Sequence, residues 1–74
     1  MDDFIKNMSE IMEVETANLN KETVFRNVTQ FDSMMGFSMI CMIEEQYGKE
    51  IDINKFKASI TIGDLFELAT GERV

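Results

Sequence analysis

An aspartate-serine pair, Asp32-Ser33, stands immediately before a run of residues that reads as a helix. The pair has two chemical readings. Either side chain can cap the helix by accepting from its first backbone N–H groups. Those same N–H groups and the helix macrodipole favour negative charge, so a phosphodiester on the Ser33 hydroxyl would be well placed. Other chemistry is scarce. The chain has no histidine and one cysteine, Cys41, so no Ser-His or Cys-His nucleophile pair can be assembled. The same deficit leaves a zinc site short of its usual ligands. Carboxylates remain for acid–base work, but a chain this short buries only about 60% of the surface its unfolded form exposes. A deep, walled active site is therefore not expected, and we assign neither catalytic nor metal-binding residues.

Charge and composition narrow the partners. Seven basic against 14 acidic side chains give 7 − 14 = −7 over 74 residues. That balance argues against nucleic acid, which requires clustered Lys and Arg, and favours partners with basic surfaces. A hydrophobic fraction of 45% is too high for a disordered acidic tail. One cysteine excludes an internal disulfide. The longest apolar run is five residues, Met39 to Ile43, against roughly 20 for a membrane span. The start, Met1-Asp2-Asp3, is acidic where a signal peptide would be basic. The expectation is one domain over 1–74, monomeric and cytoplasmic.

The elements that must position Ser33 are helical. Phe4, Ile5, Met8, Ile11 and Met12 recur on one face of a first helix over about 3–12. A long Asn- and Thr-rich connection, 13–32, follows without a sustained period; its Val14, Leu19, Val24, Phe25 and Val28 are expected to pin it across the core. A second helix runs from Ser33 to about Tyr47, capped by Asp32 or Ser33 and stopped by Gly48. A short helical turn fits 54–57 with Phe56 inward. The last helix opens at Thr61, whose spacing to Asp64 resembles a capping box, and ends at Gly71. The predicted fold is all-α: a small bundle of three main helices plus one short helix.

On a wheel of about 100° per residue the second helix carries two apolar arcs. Gly36, Met39, Ile40, Ile43 and Tyr47 share one side; Met34, Phe37 and Cys41 lie opposite, bordered by Ser38, Glu44 and Glu45. The first arc reads as core. The second is surplus to folding if the helix packs on one side only, and an exposed apolar patch marks a partner surface. If the helix ran through the centre of the bundle, both arcs would be buried.

Phe31-Asp32-Ser33-Met34, the helix ending Ile43-Glu44-Glu45-Gln46-Tyr47-Gly48, the following Glu50-Ile51 and the late Thr61-Ile62-Gly63-Asp64-Leu65 together resemble the acyl carrier protein family. The resemblance spans Phe4 to Leu68 and implies a carrier, not a catalyst. It implies a 4'-phosphopantetheine arm, taken from coenzyme A by a magnesium-using phosphopantetheinyl transferase and attached to Ser33, with acyl cargo held as a thioester. Implied partners are acyl-activating, acyltransferase or ketosynthase-type enzymes of fatty-acid, polyketide or related biosynthesis. Their basic patches would meet Asp32, Glu44 and Glu45, with Met34, Phe37 and Cys41 as apolar contacts. Met39, Ile43, Phe56 and Ile60 are the positions that would line an interior space for cargo, or else form ordinary core.

Departures from the family pattern are specific. Met35 and Ser38 stand where carboxylates are common, Val28-Thr29-Gln30-Phe31 replaces the usual Leu-Gly lead-in, and Gly36 falls mid-helix at a cost of up to about 1 kcal/mol. The recognition face is thereby less acidic and more apolar, as for a carrier dedicated to a specialised pathway. An aminoacyl or peptidyl carrier remains open. So does a non-covalent acidic helical adaptor, although the nearest calcium-loop string, Glu50-Ile51-Asp52-Ile53-Asn54, lacks the glycine turn and terminal Glu.

Overall fold

The computed structural model describes residues 1–28 and 31–71. In chain order it contains α1 (Asp2–Met12), a single 3-10 turn (Thr16–Asn18), α2 (Phe25–Val28), α3 (Ser33–Tyr47), α4 (Ile53–Ala58) and α5 (Ile62–Thr70). Among the described residues there is no strand, and one isolated antiparallel bridge joins Val24 to Thr61. The all-α bundle of three longer helices is as the periodicity predicts, with a second short helix, α2, that it does not reveal.

Local chemistry starts and stops these helices. Asp2 and Asp3 sit in the first turn of α1, where negative charge complements the macrodipole. Gly48 and Gly71 end α3 and α5 in the left-handed conformation, at φ 63° and 76°; their missing Cβ makes that region accessible. At the start of α5, the Asp64 N–H donates to Thr61 Oγ1, while Asp64 Oδ2 accepts from the Thr61 and Ile60 N–H groups at 3.0 and 2.9 Å. The predicted capping box is thus complete.

Those two backbone bonds hold the Asp64 carboxyl below the usual carboxylate range. A depressed folded-state pKa contributes stability that is fully present above the unfolded value and lost as pH falls through the folded one. Asp64→Ala should therefore cost about 1 kcal/mol near neutrality, read from urea unfolding. The gap between variant and parent should narrow in acid, below the ordinary carboxylate pKa; a gap independent of pH would refute this role.

The core gathers Phe4, Met8 and Met12 of α1, Met39 and Ile43 of α3, and Ile62 and Leu65 of α5, with Leu19, Phe25 and Phe56 closing it. Each such side chain, fully withdrawn from water, contributes about 1.5–3 kcal/mol of transfer free energy. The long connection is pinned at both ends, as its scattered apolar residues predict. Leu19 and Phe25 are buried and Val14 and Val28 pack against the core; Val24, the fifth, is only partly buried, lies outside that cluster and joins Thr61 in the isolated bridge. Backbone bonds add a second attachment: Ile62 N–H donates to Thr23 O at 3.0 Å and Gly63 N–H to Lys21 O at 2.8 Å. The first donors of α5 are satisfied by the connection, which is thereby tied to the start of that helix. Among the described residues no helix is long and apolar enough to cross a membrane, and no group of three His, Cys, Asp or Glu side chains could hold a metal ion.

Candidate functional site

The choice between Asp32 and Ser33 as cap is settled by geometry. Asp32 is the N-cap, its backbone extended, its Oδ1 accepting from Met35 N–H at 2.8 Å and its carbonyl from Gly36 N–H at 3.1 Å. Ser33 is the first residue of α3 and is exposed. Its hydroxyl has no hydrogen-bond partner among the described residues. The usual structural task of a serine at this place has passed to its neighbour, which leaves the Ser33 oxygen available for chemistry. The amides of Ser33 and Met34 are not consumed by the cap either, so an anion attached here would meet unpaired N–H donors.

Beside Ser33 opens a groove of about 470 Å³ between α3 and α4. Phe31, Gly36, Phe37, Ile40, Ile53 and Phe56 line it, and Asp32, Ser33 and the cations Arg26 and Lys57 belong to the same lining. Gly36 explains how the aromatic rings come so close to the helix. A Cβ there would lie 3.1 Å from the tip of Phe31 and 3.3 Å from Phe56. A larger hollow of about 610 Å³, lined by Met1, Ile5, Lys6 and Leu19 among others, includes none of the sequence-predicted site residues.

The two arcs of α3 separate as the one-sided packing predicts. Met39, Ile43 and Gly36 are buried, whereas Met34 is 79% and Phe37 66% exposed. The alternative in which both arcs are buried is excluded. The other predicted contacts divide into two places. Cys41, half-buried, and Glu45 share a shallow hollow with Asn7, Glu10 and Ile11 of α1. Glu44 is exposed and bound to the chain itself, its Oε2 accepting from Ile51 N–H at 3.3 Å. Of the four positions considered for a cargo space, Met39 and Ile43 are fully buried core, Phe56 walls the groove, and Ile60 is 58% exposed and outside the groove.

Arg26, Phe31, Ile53 and Lys57 have no counterpart in the sequence-level site. Arg26 lies on the aperiodic connection, where spacing carries no information about what a side chain faces. In the structure its guanidinium stands 4.8, 5.4 and 5.8 Å from the ring centres of Phe25, Phe31 and Phe56. It donates to the carbonyls of Ser59 and Phe56 at the end of α4.

An arm joined through a phosphodiester fits this constellation. It needs an accessible hydroxyl and donors for its negative charge, and both are present. No curated protein and no solved structure matches the chain. The sequence profile of the phosphopantetheine attachment site family, however, matches residues 2–69, nearly the whole length. The chain belongs to that family, the acyl-carrier type of domain, whose members carry a covalently attached 4'-phosphopantetheine and act as carriers, not as catalysts.

Proposed function

We propose that Ser33 is the attachment point and that the protein is an acyl carrier serving fatty-acid, polyketide or related biosynthesis, working as a monomeric single domain in the cytoplasm. The observation that carries this reading is the division of labour at the head of α3: Asp32 caps, and the exposed Ser33 hydroxyl is left free. On a phosphopantetheinyl transferase, Ser33 Oγ attacks the phosphorus of coenzyme A that bears the pantetheine. An O–P bond forms, the pyrophosphate P–O bond breaks, adenosine 3',5'-bisphosphate leaves, and the hydroxyl proton passes to a base of the transferase. When bound, the arm supplies a terminal thiol that holds an acyl group as a thioester. The protein's own contribution is to hold the serine rigidly at a helix tip. The N-terminal macrodipole favours the added negative charge by about 0.3–1 kcal/mol at an exposed site. Tethering also raises the cargo's effective concentration at each partner.

Carrier function is tested by charging. After treatment with coenzyme A, magnesium and a promiscuous transferase, the protein should accept an acyl group from an acyl-activating enzyme in a form released by neutral hydroxylamine. A protein that gains the arm and never accepts an acyl or aminoacyl thioester would contradict the carrier reading. Hydroxylamine-labile loading with an amino acid but no fatty acid would turn the reading to an aminoacyl carrier.

Docking is assigned to Asp32, Glu44 and Glu45 for basic partner patches, and to Met34, Phe37 and Cys41 for apolar contact. Because Glu44 also holds Ile51, Glu45 is the cleaner probe. Glu45→Lys should slow loading by a cognate enzyme about tenfold at low salt, through the association rate, and leave the helical circular dichroism unchanged. Loading at the parent rate with the fold intact would remove Glu45 from the docking face.

A further inference from the structure

We propose that Arg26 is a specificity-determining residue: its guanidinium makes the groove beside Ser33 accept acyl cargo that ends in a carboxylate and shuts a plain alkyl chain out of the protein interior. This inference rests on attachment at Ser33 and concerns what the attached cargo then touches.

The walls of the groove and its charges call for different parts of one ligand. Phe31, Phe37, Ile40, Ile53 and Phe56 offer apolar surface suited to methylene groups. Arg26 and Lys57 offer positive charge in the same groove. The one carboxylate lining it, Asp32, has an oxygen committed to the Met35 N–H. A short chain with an anionic end satisfies both sets of groups, whereas a phosphate alone would leave the apolar walls idle.

Arg26 is built to receive such an end. A guanidinium has five N–H donors. Two bonds from its terminal nitrogens go to the carbonyls of Ser59 and Phe56, and the other donors have no acceptor among the described residues. Three aromatic rings within 5.8 Å fix its position, so little side-chain freedom remains to be lost when an anion binds. Lys57, exposed on α4, has no partner among the described residues and can close on the same anion.

The same group bars an alkyl chain. Bedding hydrocarbon against free guanidinium donors removes their water and returns no hydrogen bond. Beneath the groove the route inward is filled. Phe31 and Phe56 press on the Gly36 backbone, and Met39 and Ile43 are packed without exposure and do not line the groove. Arg26 bolts this arrangement by tying α2 to the end of α4.

The test uses protein charged by a promiscuous transferase with succinyl-, butyryl- or decanoyl-coenzyme A, each adduct first verified by intact mass. Failure of every adduct to form on Ser33 would overturn the attachment reading and this inference with it. Given the adducts, side-chain NMR separates the outcomes. Succinyl should shift the Arg26 Nε–Hε resonance and butyryl should not, and neither butyryl nor decanoyl should move the Met39 and Ile43 methyl signals. In Arg26→Met the succinyl effect should vanish and decanoyl should now shift those methyls. Lys57→Gln, an exposed change that leaves the fold intact, should reduce the succinyl shift at least twofold even if Arg26→Met fails to fold. Equal shifts from succinyl and butyryl, or a decanoyl chain that moves the Met39 methyl in the parent protein, would overturn the inference. An Arg26→Met protein that folds and behaves as the parent with all three cargoes would do the same.

Discussion

Phe25→Ala should strip away a large share of the protein's stability, about 3–5 kcal/mol. Phe25 is fully buried on a helix of only four residues, and its ring meets Phe31 at 5.6 Å and Phe56 at 6.0 Å, with the Arg26 guanidinium above it. Removing the ring costs its transfer free energy plus the cavity it leaves, about 3–5 kcal/mol. At about 0.05–0.15 kcal/mol per residue, total stability for a chain of this size is roughly 4–11 kcal/mol. The loss is therefore a large share of the whole. It also releases the segment that places Phe31 and Arg26, so the groove should disappear with it. Phe25→Leu keeps most of the volume and should cost under about 1.5 kcal/mol. Urea unfolding followed by circular dichroism checks both. A Phe25→Ala midpoint close to the parent's would show that the connection is not an anchor of the core.

Phe25 also marks the boundary of what the sequence makes legible. Features governed by neighbours a turn apart are readable: a cap at Asp32 or Ser33, the Thr61 capping box, the stops at Gly48 and Gly71, and the opposed arcs of α3. So is the inward turn of Phe56. Features governed by distant partners are not. A four-residue helix shows no period, so α2 is silent in the sequence even though it carries a core ring and a groove cation. The direction of Arg26 depends on carbonyls 30 and 33 residues away. The exposure of Ile60 follows from the turn that the Asp64 capping box imposes on Ile60 and Thr61, not from its hydrophobicity. Ser33 stands out as a candidate through the family resemblance of the segments around it; the groove beside it has no such signal, because three separate segments build it.

The acidic total is likewise distributed unevenly. Asp32 and Asp64 each hold a helix start and Glu44 holds the Ile51 amide. Glu45 is thus the carboxylate of the docking set with no such local duty among the described residues. For that reason the charge-reversal experiment is sharper at Glu45 than at either of its companions.

The central claim is that one oxygen, Ser33 Oγ, bears the arm. Asp32 takes the capping bond, so Ser33→Ala removes no hydrogen bond made by the described residues and leaves the alanine, a strong helix former, at the first position of α3. The variant should fold with a stability within about 0.5 kcal/mol of the parent, as surface substitutions away from special features do. A failure to accept the arm then cannot be blamed on lost structure. The deciding measurement is tandem mass spectrometry of proteolytic fragments after incubation with coenzyme A, magnesium and a promiscuous phosphopantetheinyl transferase. The account predicts a phosphopantetheine adduct on Ser33 in the parent and none anywhere in a folded Ser33→Ala. An adduct on another hydroxyl such as Ser38, or one that persists in Ser33→Ala, would contradict it.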